Sequence, residues 1–276
     1  MFRATVLALV AAVLHAGWNL VAKRSRDRFI ALWGQFAAAG SIGAIVIGVQ
    51  RDLPAAAWGW AAICGAVHLP YVVGLARAYD HGDFSTVYPI VRGSGALLAG
   101  IGGIVVLDDR LDALTFAAVV VVAIGICVLA TGHGPLAPAI GWALVVGMSI
   151  GVYTVNDSHA SRTLDTDLYP FAVFVATGIA VTGYGIAAGR GRTMAIAARE
   201  EWRKFLATGT CTAVTYLLVL VAVRSAPVGY VAALRESSVV IAAFLGSRVL
   251  AEEDARRRTV AAAVILAGLI LLVSTG

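Results

Sequence analysis

The chain has 276 residues, of which 60% are hydrophobic and only 13% charged, about half the charged share of an ordinary soluble domain. So little charge cannot cover a water-exposed surface, and a large soluble helical protein would need amphipathic outer helices, which none of the apolar stretches provides. The net charge is +5, but the basic residues sit between apolar stretches without interleaved aromatics, which indicates membrane topology and no nucleic-acid partner.

The charges gather at Lys23–Arg28, Arg51–Asp52, Asp80–Asp83, Asp108–Asp112, Asp157–Asp167, Arg190–Lys204 and Arg248–Arg258, separated by apolar runs of about the 20 residues that a bilayer core demands. Charge breaks and turn residues place spans near 3–23, 29–50, 55–77, 84–107, 113–131, 137–156, 169–189, 203–224, 228–250 and 257–275. Met1-Phe2-Arg3 before Ala4–Leu14 has the outline of a short signal peptide with Ala16 near a cleavage point. Its removal would leave an odd number of spans, so the first helix is expected to stay. Pro54, Pro138, Pro170 and Pro227 stand near starts of spans, where a missing amide is harmless, whereas Pro70 and Pro89 lie inside spans and free a carbonyl. Cys64, Cys127 and Cys211 lack CxxC spacing and read as inert packing residues. No metal or cofactor is expected, and no G-x-x-x-x-G-K-[ST] run offers an ATP site.

Residues 85–132 align without a gap on 228–275 at an offset of 143. Arg92 meets Arg235, Ser94 meets Ser237, Ala99 meets Ala242, Gly103 meets Gly246, Asp109 meets Glu252 and Gly125 meets Gly268. Chance matches apolar letters easily but rarely a membrane arginine. A unit with an odd number of spans, repeated in tandem, must enter the bilayer the second time upside down. The expected fold is an all-α integral membrane protein of ten transmembrane helices, built as two inverted five-helix repeats over 1–132 and 137–276, with a substrate site between them near the midplane. Lys and Arg favour the face holding loops 1–2, 3–4, 7–8 and 9–10, which by the positive-inside rule is cytoplasmic and puts both termini outside.

The segment Leu14-His15-Ala16-Gly17-Trp18-Asn19-Leu20-Val21-Ala22-Lys23, the doubled fourth and fifth spans, the acidic ends Asp108-Asp109 and Glu252-Glu253, and the run Ser225–Glu236 carry a likeness. Along essentially its whole length the chain resembles the EamA-type family of the drug/metabolite transporter superfamily. The resemblance implies ten helices, a central cavity, export or uptake of small metabolites, a bacterial plasma (inner) membrane and cytoplasmic termini, the last opposed by the loop charges. The carboxylate that small multidrug exporters of the superfamily use in the first span has no counterpart here.

A charge at the bilayer centre costs about 2.5–3.5 kcal/mol on insertion scales, so ionisable residues inside spans are candidates for function. Arg92 lies about eight residues into its span, roughly 12 Å at 1.5 Å per residue, and Arg235 at the matching depth. Glu236 neutralises only one of them, which leaves a positive charge suited to a carboxylate or phosphate; the bland alternative is a structural tether for kinked backbone. His15, Trp18 and Asn19 share one face of the first helix. His68 with Tyr71, Tyr153 with Asn156, and Tyr88 one turn before Arg92 complete the expected binding residues, each with interhelical packing as the plain alternative. Glu236, read as the only carboxylate deep in a span, is expected to titrate if transport is proton-coupled. Gly95, Ala99 and Gly103 are spaced for close helix contact.

The function expected is a secondary transporter, working as an exporter, of small polar or anionic solutes such as amino acids or organic acids, and not an enzyme. Two alternatives stand beside it. One is an intramembrane hydrolase with Ser94 as nucleophile and His68 or His15 as base, although the run Arg92-Gly93-Ser94-Gly95 lacks the G-x-S-x-G elbow. The other is a scaffold that transports nothing.

Overall fold

The computed structural model describes residues 1–82, 84–110, 112–130, 137–164, 166–241, 260, 263–268 and 270–271. The helices are α1 (Phe2–Arg24), α2 (Arg28–Gln50), α3 (Ala55–His81), α4 (Phe84–Leu107), α5 (Ala113–Ala130), α6 (Ala137–Thr163), α7 (Tyr169–Ala187), α8 (Gly191–Glu200), α9 (Trp202–Val223) and α10 (Val228–Arg235). Seven of these are long and apolar enough to cross a membrane. Large apolar side chains face outward along them, Val49, Val105 and Ile179 each more than two-thirds exposed, an outer surface suited to lipid chains. Of the expected span near 228–250 the structure describes residues 228–241, and of that near 257–275 only 260, 263–268 and 270–271.

Local chemistry sets the ends. Asp27 caps α2 by accepting the Ile30 amide at 3.0 Å, and Arg51 closes that helix in the left-handed region at φ 56°. Lys23 donates to the carbonyls of Tyr79 and Gly82 at 3.2 and 3.0 Å, a cation on the negative end of α3. Asp112 starts α5 by accepting the Thr115 and Leu114 amides at 2.8 and 2.9 Å and the Thr115 hydroxyl at 2.8 Å. The Thr115 amide and hydroxyl, then the Leu114 amide, hold the Asp112 carboxyl below its usual range. α8 lies at the basic face, with Met194 and Ala197 turned inward.

Two expected boundaries move. α3 continues to His81 instead of ending at 77, and α6 runs to Thr163 instead of 156. The second shift matters, because Asp157 had served as a stop signal. A carboxylate ends an apolar run only if nothing inside the protein meets it, and here the protein does.

α4 lies along α6, α3 along α6 and α7, α2 along α7, α1 along α9, and α10 against α1 and α4. Small residues let the α4 and α6 backbones meet. A Cβ on Gly147 would fall 1.9 Å from Ser94 Oγ, and one on Gly151 would fall 2.6 Å from Leu98 Cβ. In return Gly95 receives Ile150 and Gly102 receives Val155. Of the small residues read from α4, Gly95 thus belongs to a reciprocal seam with α6, whereas Gly103 faces Asp109 and Val228.

Candidate functional site

α4 and α10 meet inside the bundle, and each brings a charge. Arg92 Nη2 donates to Glu236 Oε1 at 2.5 Å, with side chains only 4% and 0% exposed. Arg235 is buried beside them, without a hydrogen bond or ion pair to any described residue. The Nε atoms of Arg92 and Arg235 and Glu236 Oε2 are likewise buried without a hydrogen-bond partner. Among the described residues, two guanidinium groups stand against one carboxylate, which leaves one positive charge uncompensated. Donors of this planar geometry fit a carboxylate or phosphate bidentately.

These three residues line a narrow cavity of about 10 Å³, walled by Ile150 and Thr154 of α6, Val219 and Val223 of α9, and Val228 of α10. That volume is about what one water needs, too small for a metabolite. One end is held by Asp109, which takes Arg162 Nη1 at 2.7 Å and Nη2 at 3.3 Å and also accepts the Val228 amide at 2.7 Å. Arg162 in turn donates to the carbonyls of Val223 and Ala226 at 2.9 and 3.2 Å. A single clamp thus joins the α4–α5 loop, the end of α6 and the turn between α9 and α10. Larger crevices of about 460 and 590 Å³ open at the two faces, lined by rim residues such as Arg77 and Asp80 or Asp167 and Arg224.

The other residues singled out in the sequence fall into neighbouring groups. His15 packs edge-on against Trp18 at 4.7 Å and lies 6.4 Å from Tyr88, measured between ring centroids. Tyr88 donates to Ser238 at 3.0 Å. Asn19 donates to its own helix at His15 O, 3.0 Å, and accepts from Tyr79 at 3.3 Å. His68 stacks on Tyr153 with ring centroids 4.4 Å apart, and Tyr71 stands 5.5 Å from His68. Ser94 donates to Ile90 O at 2.6 Å; the described partners of His15 and His68 do not include it.

Sequence reasoning missed one group. Glu236 is not the only carboxylate deep in a span: Asp157, also 0% exposed, is buried on α6. It accepts from Asn156 Nδ2 at 2.8 Å, Tyr169 at 2.5 Å, Cys64 at 2.8 Å and Tyr216. Cys64, read as inert packing, is one of its donors. The available signal was the turn from Tyr153 through Asn156 to Asp157, which continues one helical face past the expected end of the span.

A family model described as the EamA-like transporter family matches residues 137–274. A crystal structure described only as that of a protein matches 99% of this chain and 99% of its own, with a TM-score of 0.70 and 17% identity, a likeness of fold alone. No curated protein matches.

Proposed function

Because this chain belongs to the EamA-like transporter family, we propose that it is a secondary transporter, working as an exporter, of small polar metabolites such as amino acids or organic acids. The observation that carries this reading is the guanidinium charge at Arg92, Glu236 and Arg235 that no described carboxylate compensates, beside a cavity with room for about one water. A buried positive charge without a partner is costly, and an anionic or zwitterionic cargo supplies the missing carboxylate. We place the protein in a bacterial plasma membrane.

We also read the chain as two inverted five-helix repeats, 1–132 and 137–276, pairing α1 with α6, α2 with α7, α3 with α9 and α4 with α10. Exchanging the halves turns the α3 contacts with α6 and α7 into those of α9 with α1 and α2, and the α4–α6 contact into α10–α1; both sets occur. The α2–α7 and α4–α10 contacts map onto themselves, which supports a pseudo-twofold axis running through the arginine pair. Cargo larger than a water needs the cavity to open, and parting the Asp109–Arg162 clamp is the movement that frees one end. His15, Trp18, Asn19, Tyr88, His68, Tyr71, Tyr153 and Asn156 then become its walls.

A thermal-shift screen of purified protein against amino acids, organic acids and phosphorylated metabolites, repeated with Arg235→Ala, tests cargo and site together. Stabilisation by an anionic or zwitterionic solute is expected, and its loss in the variant. If Arg92→Ala and Arg235→Ala both fold and leave liposomal flux of that solute unchanged, the assigned site is wrong.

A further inference from the structure

We propose that Asp157 is a proton-binding site whose occupancy is transmitted to the helices that wall the arginine cavity. It deepens the transporter reading, on which the use made of the proton rests, whereas occupancy of the site is measurable without any transport.

Asp157 Oδ1 accepts from Tyr169 and Asn156, and Oδ2 accepts from Cys64 and Tyr216. An ionised carboxylate is an acceptor only, with about four lone-pair positions. Four donors fill them, so the described ring satisfies the ionised form completely. A proton arriving from water forms one O–H bond on Asp157 and turns that oxygen position from acceptor to donor. One of the four neighbours then has to give up its bond or, as a hydroxyl or thiol can, turn its own hydrogen elsewhere and accept instead. Cys64 is the neighbour that gives way most easily, because a thiol is the weakest of the four donors, and its sulfur already lies 3.2 Å from His68 Nδ1, whose hydrogen is donated to Cys64 O at 2.9 Å.

The groups facing Asp157 are Cys64 on α3, with His68 behind it, Tyr169 on α7, Tyr216 on α9, and Tyr153 and Asn156 on its own helix, whereas His159 turns to Trp60 at 5.0 Å between ring centroids. Its described hydrogen-bond partners are all neutral. In this it differs from Glu236, whose charge Arg92 already meets at 2.5 Å. A carboxylate without a cation is the one whose charge a proton can cancel without stranding another.

The ring also lies where a change would matter. Asp157 is three residues beyond Thr154 on α6, and Tyr216 is three before Val219 on α9, while Thr154 and Val219 both wall the arginine cavity. Three residues are about one turn of helix. Protonation loosens α3, α6, α7 and α9 against one another, and two of those helices carry the cargo wall.

Infrared difference spectra of the purified protein on acidification read the proton directly. A carbonyl band of a buried carboxylic acid is expected in the wild type and absent in Asp157→Asn, and Tyr169→Phe, which removes one donor to the ionised form, should need less acid to raise it. The rearrangement is read at Cys64, with Cys127 and Cys211 replaced by serine. Acid lowers the thiolate fraction and by itself slows alkylation, so faster labelling of Cys64 by a membrane-permeant maleimide at acid pH reports opening of the ring. Asp157→Asn should label at neutral pH as the wild type does in acid. A band that survives Asp157→Asn, or no band at any pH, overturns the site; a Cys64 that labels only more slowly in acid overturns the transmission. Should Asp157→Asn fail to fold, the wild-type and Tyr169→Phe spectra still decide. None of these readouts needs cargo, so they can succeed where the transporter reading fails.

Discussion

Glu236 and Asp80 each meet an arginine at 2.5 Å, yet one pair is 0% and 4% exposed and the other 43% and 27%. Distance is the same and the surroundings are not, so the two regions separate what geometry contributes from what water contributes. Inside, a lone charge has no solvent to fall back on, and removing one partner costs about 3–5 kcal/mol. At the rim, water answers either charge alone and the pair contributes about 0–1 kcal/mol. The largest expected effect is therefore Glu236→Ala, which leaves Arg92 and Arg235 buried together without a carboxylate. Thermal melting in detergent should show a loss of about 3–5 kcal/mol, and replacing Arg92 and Glu236 together by methionine should restore much of it. If Glu236→Ala melts like Asp80→Asn, the contrast between interior and rim collapses.

Asp109 stands between these limits. Its side chain is 9% exposed and that of Arg162 24%, and the same carboxylate also holds the Val228 amide. Charge-assisted bonds of this kind contribute about 1.5–3 kcal/mol, so Asp109→Ala should lose an amount in that range, less than Glu236→Ala. Asp109→Asn keeps an acceptor for the amide and should lose less. Asp80→Asn, with both partners near water, should move the melting point by the equivalent of about 0–1 kcal/mol. An Asp109→Ala loss no larger than that of Asp80→Asn would place the clamp at the rim electrostatically, whatever it joins.

The same distinction explains what the sequence disclosed. Apolar run length carries the existence of most spans, since a bilayer core imposes one length on all of them, and α2 and α4 start and stop where charge breaks placed them to within a residue. Arg92 and Arg235 stood out in the sequence because the gapless alignment of 85–132 on 228–275 sets one against the other. Asp157 was not, because a charge near the end of an apolar run has two meanings, loop or buried ring, and the choice depends on Tyr169, Tyr216 and Cys64, which come from other helices. Likewise the small residues of α4 announced close packing without naming its partner; Gly147 and Gly151 of α6 complete the seam. Periodicity identifies a face, but only the fold says what it meets.

The smallest effect belongs to Asp112, an exposed carboxylate with backbone and hydroxyl donors in place of a cation. Its bonds favour the ionised form, so its carboxyl is depressed in the folded chain relative to the ordinary value of 3.8. A depressed folded value contributes stability that is fully present above the unfolded value and is lost as pH falls through the folded one. Asn at this position still accepts the amides but carries no charge toward the positive end of α5. Wild type should therefore melt slightly above Asp112→Asn at neutral pH, hold that margin down to the ordinary carboxylate range, and lose it on further acidification. Melting curves of the two proteins across that range read the margin directly. A margin unchanged in acid would mean that the Thr115 and Leu114 donors do not distinguish the charged from the neutral carboxyl, and that at the rim hydrogen bonds, like ion pairs, are largely replaced by water.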